Sequence, residues 1–301
     1  MQVNTPVKPF HIAQPTVEEQ KQWDQLVANS GASVFSESRY LNALLGEWVI
    51  LYNEDRSGGM VCPFVIKLGR KILINPIYHQ FSEWVGKGEL TDEGITFLKS
   101  EFSVSQLFFR NDGFFENCHI IKRKHQIIES NEFLMNSLSK RMLKKSLVYE
   151  IRSNDEISLI YKQVDNDLIG RVQGMNKENV KHLKKLVESF KGNGLHSFCV
   201  YKNDAFAGGI WVLENANSWM YLKGSVTEIA KKEGAMYLLL SSAINQALSK
   251  NKTFDFGGSN AESVRRFNLN LGGKDVDYVQ LLWNSAPWWW NLLRSLKQKI
   301  K

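Results

Sequence analysis

Cysteine is scarce in this chain of 301 residues, and long apolar runs are missing altogether. The three cysteines, Cys62, Cys118 and Cys199, lie far apart and form no CxxC pair. This spacing excludes a disulfide framework and a zinc ribbon, and the six histidines show no HxxxH or HxxEH spacing. We therefore predict free thiols in a reducing compartment and no metal site.

No apolar stretch reaches the roughly 18 residues that a membrane-spanning helix requires. The first twenty residues also lack the continuous apolar segment of a signal peptide. Both absences predict a cytoplasmic protein.

The composition is that of a folded chain with a mild basic excess. Apolar residues make up 43% and charged residues 23%, and a length of about 150 residues per domain predicts two domains. Lys and Arg number 38 against 31 acidic residues, which gives a net charge of +7. Such a charge fits an anionic partner or simple solubility. Because the basic residues are not interleaved with aromatic residues along one stretch, DNA is not a predicted partner.

Two segments about half the chain length apart read alike, at residues 48–65 and 197–214. Each contains an apolar strand, a polar turn with a shared Asp (Asp55 and Asp204), and a Gly-Gly pair that begins a second apolar strand. This pattern predicts a β-hairpin in each half. The spacing favours duplication over a chance likeness of two hairpins. We predict a mixed α/β protein with domains at 1–135 and 136–301.

Several further elements follow from caps and apolar spacing. Helices are predicted at Asp92–Glu101 after a Thr91 cap, at 177–190, and without a break over 230–248. A strand pair is predicted over 71–79. Between the halves, a basic amphipathic helix with apolar residues at 138, 142, 143 and 147 is either a solvated surface or a basic wall facing a phosphate-bearing substrate.

Two turns in residues 216–284 have the composition of phosphate-binding sites. The first, Lys231-Lys232-Glu233-Gly234-Ala235, precedes a long apolar helix, whose N–H groups and dipole favour an anion. The second, Gly257-Gly258-Ser259-Asn260, follows the strand FDF and precedes the helix AESVRRFN. On the preceding strand, Trp219, Tyr221 and Lys223 are expected to share one face.

These residues resemble a known family. The order Y-x-K-G, K-x-G-A-x-Y-L-L-L and F-D-F-G-G-S followed by S-V-x-R-F-N resembles the C-terminal half of Fem-type peptidyltransferases, which belong with the GNAT acyltransferases. In the first half, NPIYHQFSEWVG (75–86) is similar to a segment of the same two-domain proteins. The resemblance implies two GNAT-like domains with an acceptor bound in the cleft between them.

The resemblance also implies an activity and two classes of acyl donor. GNAT enzymes use acyl-CoA, whose pyrophosphate binds an R/Q-x-x-G-x-G/A loop, whereas Fem-type relatives use aminoacyl-tRNA. In this chain Lys231 stands at the Arg/Gln position and Met236 at the last Gly/Ala position, and no long helical insertion interrupts residues 150–301. We predict an acyl- or aminoacyltransferase that acts on an amine of a small or cell-envelope-related acceptor. The alternative is a catalytically decayed scaffold that binds a ligand or partner.

The candidate site residues follow from these motifs. Asp255 and Glu83 are the candidate bases, and backbone N–H groups near Gly208-Gly209 or Gly224 are candidates for an oxyanion site. The predicted substrate- and donor-binding residues are Gln80, Lys223, Gly224, Lys231, Gly234, Gly257, Gly258, Ser259, Arg265, Arg266 and Lys274.

Simpler structural roles stay open for several of these residues. Asp255 could bond a neighbouring backbone N–H, and Glu83 could be an ordinary surface carboxylate. The adjacent Arg265 and Arg266 point about 100° apart on a helix, so at most one is expected to face a cleft.

The last residues form a separate pattern. In NSAPWWWNLLRSLKQKIK, apolar residues recur at helical spacing with four basic residues around them. The segment 287–301 is therefore either an interfacial helix that places the protein at the inner face of the membrane, or a helix that docks on the protein's own core.

Overall fold

The computed structural model describes residues 9–44, 46–111, 115–129, 133–153, 157–171, 176–258 and 261–299. The chain divides into two compact units. Unit 1 comprises Met1–Leu41, Gly46–Arg123 and Asp277–Lys301, and unit 2 comprises Asn42–Leu45 and Lys124–Val276. The last 25 residues of the chain belong with the first unit.

The described residues form strands and helices that are interspersed along the chain. The strands are β1 (Phe10–Ala13), β2 (Glu47–Asn53), β3 (Gly58–Lys67), β4 (Arg70–Leu73), β5 (Val85–Gly86), β6 (Val104–Phe109), β7 (His119–Ile128), β8 (Glu150–Ser153), β9 (Leu195–Lys202), β10 (Ala205–Glu214), β11 (Ser218–Val226), β12 (Thr253–Asp255) and β13 (Lys274–Asn284). The helices are α1 (Val17–Ser30), α2 (Ser38–Leu41), α3 (Asp92–Glu101), α4 (Ser137–Lys145), α5 (Ile157–Arg171), α6 (Lys177–Phe190), α7 (Glu228–Lys232), α8 (Ala235–Ser249), α9 (Glu262–Asn270) and α10 (Trp288–Lys299). The predicted mixed α/β fold is confirmed.

The sheets of the two units follow the same pattern of pairing. In unit 1 the order is β1-β2-β3-β4-β6-β13, with β4 and β6 parallel and the other pairs antiparallel. In unit 2 the order is β8-β9-β10-β11-β12-β7, with β11 and β12 parallel and the other pairs antiparallel. The last strand of each sheet comes from the other half of the sequence. This recurrence supports the duplication inferred from the two hairpins, which are β2–β3 and β9–β10.

Each unit has its own apolar core. In unit 1 the strands pack with α3 around Leu51, Leu107 and Leu281, which are fully buried. In unit 2 the long helix α8 packs on the sheet through Leu239 and Ile244. All three cysteines are free thiols.

Two predicted elements differ in the structure. The helix expected over 230–248 is broken into α7 and α8 at Gly234, which has a left-handed φ of 86°. A Cβ on Gly234 would lie 2.3 Å from the carbonyl oxygen of Met142 in α4, so this tertiary contact requires glycine. The strand pair expected over 71–79 is reduced to β4, because Pro76 and the left-handed Tyr78 end the extended chain.

Candidate functional site

Strand β11 separates from its parallel neighbour in the middle of unit 2. It pairs with β12 only from Ser218 to Met220, whose partner is Asp255, and then continues to Val226. Strand β12 ends at Asp255. The C-terminal half of β11 therefore runs on beyond the end of its neighbour, which is where ligands bind in many sheets with parallel strands.

A β-bulge lies at the point of separation. Trp211 of β10 pairs with Lys223, whereas the next residue, Val212, pairs with Tyr221. Leu222 is thus the extra residue of β11. Bulges bend a strand and redirect its side chains, and they are frequent beside active sites. Side chains of a regular strand alternate between its two faces, and this alternation predicted one shared face for Trp219, Tyr221 and Lys223. The bulge at Leu222 interrupts the alternation between Tyr221 and Lys223.

A cavity of about 410 Å³ opens at the end of β11. This volume is within the usual range for small-molecule sites, about 300–1,000 Å³. All the lining residues belong to unit 2: Met142, Asp167, Gly224, Ser225, Val226, Glu228, Lys231, Met236, Tyr237 and Phe267.

The N-terminus of α8 lies at the wall of the cavity. Helix α8 begins after Gly234, and its second residue, Met236, lines the cavity. The N–H groups of Ala235 and Met236 precede the first internal hydrogen bonds of the helix, and within the described part of the chain they donate to no backbone carbonyl. The exposed Lys231 adds a positive charge on the same wall. Together these groups suit an anionic ligand group.

The wall of the cavity also contains a carboxylate, that of Asp167. Asp167 of α5 accepts a hydrogen bond from the hydroxyl of Ser225, and both residues line the cavity. Burial lowers the pKa of nearby Lys223, and the negative charge of Asp167 opposes that shift. Burial also raises the pKa of the Tyr221 phenol, which keeps it protonated, although the backbone N–H of Gly224 works against this shift.

The structure brings some of the predicted binding residues of unit 2 together. Gly224 and Lys231 line the cavity, and Gly234 precedes the helix whose N-terminus lies at the cavity wall. Lys223 is half-buried on β11, next to Gly224, but does not line the cavity.

The residues around the second predicted turn lie elsewhere in unit 2. Asp255 is buried, and its Oδ1 accepts a hydrogen bond of 2.8 Å from the N–H of Gly257 and lies 3.6 Å from Nδ1 of His125. Gly257 and Gly258 have left-handed φ values of 71° and 69°. Ser259 lies outside the described residues.

The predicted cationic residues near the C-terminal end of unit 2 have different surroundings. Arg265 is held by Asp275, with Nε at 3.1 Å from Oδ1, and by Glu262 at 3.1 Å. This pairing raises the pKa of Arg265 and lowers the pKa of Asp275. Arg266 and Lys274 are exposed and do not line the cavity.

Two predicted residues belong to unit 1. The buried Glu83 accepts hydrogen bonds from the backbone N–H of Ser33 at 2.7 Å and the hydroxyl of Ser36 at 3.1 Å, and it pairs with Arg110 at 3.4 Å. The carboxylate therefore already has several partners. Gln80 is also buried, and neither atom of its amide has a hydrogen-bond partner in the part of the chain that is described.

Among the described residues, no three His, Cys, Asp or Glu side chains are grouped so that they could hold a metal ion. In the same part of the chain, no helix combines the length and apolar character needed to cross a membrane.

Sequence reasoning missed eight of the ten lining residues of the cavity: Met142, Asp167, Ser225, Val226, Glu228, Met236, Tyr237 and Phe267. Met236 and Tyr237 lie in the motif K-x-G-A-x-Y-L-L-L, and Phe267 lies in the motif S-V-x-R-F-N. Asp167 has no such signal, because helix α5 has no strong apolar periodicity and was not predicted.

Comparison with known proteins assigns this part of the chain to a family. Residues 140–265 match the acetyltransferase (GNAT) domain, and all the cavity residues except Phe267 lie within this match. This part of the chain is similar to the GNAT acetyltransferases. The resemblance to GNAT acyltransferases inferred from the sequence motifs is confirmed, and it supports acyl transfer as the general class of reaction. No curated protein matches the sequence.

Solved structures share the fold of this chain over nearly its whole length. The structure of L-PGS from Bacillus licheniformis has a TM-score of 0.56 at 12% identity, covering 91% of this chain and 93% of that one. FemX has a TM-score of 0.57 at 9% identity, covering 90% and 97%. A tandem GNAT protein from the clavulanic acid biosynthesis pathway has a TM-score of 0.52 at 10% identity, covering 92% and 98%. At these identities the likeness establishes the fold alone.

Proposed function

We propose that the protein binds an acyl donor in the cavity at the end of β11 and transfers the acyl group to an amine. The observation that carries this proposal is the cavity itself. All its lining residues except Phe267 lie within the segment that matches the GNAT domain, at the place where β11 has separated from β12 and the N-terminus of α8 forms part of the wall.

An acyl-CoA is the donor that these residues fit best. The N–H groups at the start of α8 and the ammonium of Lys231 would hold the pyrophosphate. The apolar side chains of Met142, Met236 and Phe267 would lie along the uncharged arm of the donor. The donor's thioester supplies the activated carbonyl carbon.

The reaction itself needs positioning and the removal of two protons from the acceptor ammonium: a base takes one to give the neutral amine, and the departing thiol carries the other. The acceptor nitrogen forms a bond to the carbonyl carbon, the carbon–sulfur bond breaks, and the thiol leaves with a proton that originates on the amine. Asp167 is the half-buried carboxylate of the cavity wall, and we assign it the role of holding the acceptor's ammonium and taking its proton. Glu83 and Asp255 remain predicted bases, but neither lines the cavity.

The acceptor is proposed to be a small or cell-envelope-related amine, and the transferred group an acyl or aminoacyl group. The Fem-type motifs of the sequence and the fold shared with FemX support the aminoacyl alternative. In unit 1 the unpartnered amide of Gln80 is a group that a polar substrate atom would satisfy, because a buried amide without a hydrogen bond is costly.

The donor site is tested by calorimetric titration of the full chain with CoA, acetyl-CoA and a longer acyl-CoA. Lys231→Ala removes a charge from the cavity wall, and Lys232→Ala removes the exposed charge beside it, which does not line the cavity. Loss of one ionic phosphate contact is expected to weaken binding about tenfold for Lys231→Ala. The Lys232→Ala control should change the dissociation constant less than about twofold.

Catalysis is tested with Asp167→Asn under saturating donor. We expect kcat to fall at least about a hundredfold while donor affinity stays unchanged, because the amide cannot take the proton. Donor binding without turnover by the native chain on any amine would favour the decayed scaffold. No binding of any CoA compound to a folded native chain would contradict the donor proposal and leave aminoacyl-tRNA as the donor to test.

A further inference from the structure

The C-terminal helix α10 is fixed to unit 1 by one of its three consecutive tryptophans. Trp290 is fully buried, and its indole Nε1 donates a 3.0 Å hydrogen bond to the carbonyl oxygen of Lys67. Its ring packs in a small apolar cluster with Ile72 and Val104. The start of the helix is therefore held beside the β3–β4 hairpin.

The other large side chains at the start of α10 stay outside this cluster. Trp288 is 78% exposed and Trp289 is 41% exposed, and Leu292 and Leu293 are exposed as well. On the adjoining hairpin, Ile66 is 56% exposed and Leu68 is 39% exposed. We call these six side chains the hairpin–helix surface. Large apolar groups gathered on one part of a protein surface mark a place of association.

The same two segments are basic and contain no acid. Residues 65–74 include Lys67, Arg70 and Lys71, and residues 285–301 include Arg294, Lys297, Lys299 and Lys301. Neither segment contains Asp or Glu. Among the described side chains, Lys67 and Arg70 therefore lie on the same hairpin as Ile66 and Leu68, and Arg294 lies on the same helix as Trp288 and Leu292.

We propose that the hairpin–helix surface binds the surface of an anionic lipid bilayer. Exposed Trp and Leu side chains enter the boundary between head groups and acyl chains, while Lys and Arg pair with the lipid phosphates. Phosphate pairing alone would serve a nucleic acid equally well, but it would leave Trp288, Leu292 and Ile66 in water. A bilayer surface accommodates both classes of side chain at once.

The test is sedimentation of the full chain with vesicles of phosphatidylcholine alone or with about one third phosphatidylglycerol. Deletion of 287–301 is unsuitable because it would remove the buried Trp290. The apolar variant is Trp288→Ser with Leu292→Ser. The charge variant is Lys67→Glu with Arg70→Glu and Lys71→Glu. Its matched control reverses three exposed lysines of α6 in unit 2, as Lys181→Glu, Lys184→Glu and Lys185→Glu, with the same change in net charge.

We expect the native chain to sediment with anionic vesicles and to dissociate at high salt. Each surface variant should lower the partition coefficient at least about tenfold, and the control variant should retain at least half of the native binding. Thermal unfolding of each variant verifies that it is folded. Absence of binding to anionic vesicles, equal binding to both vesicle types, or equal losses in the charge variant and its control would each overturn the proposal.

Discussion

At the scale of single residues, Gly257 shows that a glycine can be demanded by packing rather than by a ligand. Its φ is 71°, and a Cβ built on it would lie only 2.3 Å from the carbonyl oxygen of Tyr221. The sequence pattern indicated a phosphate-binding turn here because glycines allow close approach to the backbone. The approach does occur, but the closest group is the protein's own strand β11.

Replacing Gly257 with alanine should therefore lower the free energy of unfolding of unit 2 by more than the strain of a left-handed alanine alone would. We expect a loss of about 2–4 kcal/mol in the free energy of unfolding, because a left-handed alanine costs about 1 kcal/mol and the contact with Tyr221 adds to it. Urea unfolding measures the loss.

Gly192→Ala is the matched control for this prediction. Gly192 has a similar φ of 76° in the same unit, but a Cβ there would meet nothing within 4 Å. The control should lose only about 1 kcal/mol. Equal losses in the two variants would show that the backbone relaxes away from Tyr221 and would contradict the packing argument.

The candidate site is only partly readable from the sequence at this scale. Lys231 and Gly224 were predicted because each stands in a local motif, and both line the cavity. Arg265 also stands in a motif, but its guanidinium pairs with the carboxylate of Asp275, and no local sequence pattern indicates this partner. Asp167 reaches the cavity only through the placement of α5, which is a tertiary property.

At the scale of elements, the sequence predicts best where local signals act alone. Helix α3 begins after Thr91, whose hydroxyl accepts from the N–H of Gly94, and it spans the predicted residues. Helix α6 also has its predicted bounds. The break at Gly234 was missed because apolar residues continue on both sides, while the contact with Met142 that requires it comes from distant sequence.

A carboxylate at the end of β10 links several elements of unit 2. Glu214 lies 2.5 Å from Nε2 of His196 in β9, and Nζ of Lys252 donates to it at 2.6 Å from the turn before β12. Burial alone would raise the pKa of Glu214, but its hydrogen bonds, led by the one from Lys252, lower it to about 2. The folded state thus holds Glu214 ionised at a pH where the unfolded chain is protonated.

The sign of this shift predicts an acid-sensitive contribution to stability. The contribution is fully present above the ordinary Glu pKa of 4.5 and is lost as the pH falls towards 2. In Glu214→Gln, the drop in unfolding free energy between pH 6 and pH 3 should be smaller than in the native chain by about 1–2 kcal/mol, after allowance for solvent screening. Urea unfolding across this pH range provides the measurement. An unchanged pH dependence in the variant would contradict the assigned contacts.

At the scale of the whole molecule, the repeat was predictable and the exchange of strands was not. Two similar hairpins are visible in the sequence, because strand and turn residues act locally. Strand β13 pairs with β6 in unit 1, although more than 160 residues separate them. Such a pairing depends on which edge is left open when the rest of the sheet has formed, and residue patterns do not encode that.

This exchange leads to a prediction about fragments. Residues 1–135, the first domain expected from the sequence, lack β13 and α10, so the edge of β6 is exposed and Val279, Leu281 and Trp290 are missing from the packing of unit 1. We expect this fragment to lack a cooperative unfolding transition. A second fragment, with residues 1–123 joined by a flexible Gly-Ser linker to residues 277–301, restores the missing strand and should unfold cooperatively.

Near-ultraviolet circular dichroism and urea unfolding distinguish the two fragments. A third fragment is the control for chain length and linker. It is the linked fragment with the substitutions Val279→Asp and Leu281→Asp. Both side chains are buried in the native core, so unpaired carboxylates there should abolish the transition that the linker restores. If residues 1–135 unfold as cooperatively as the linked fragment, β13 is dispensable to unit 1. The division of the chain would then follow the sequence halves, and the exchanged strand would be an addition to a domain that is already complete.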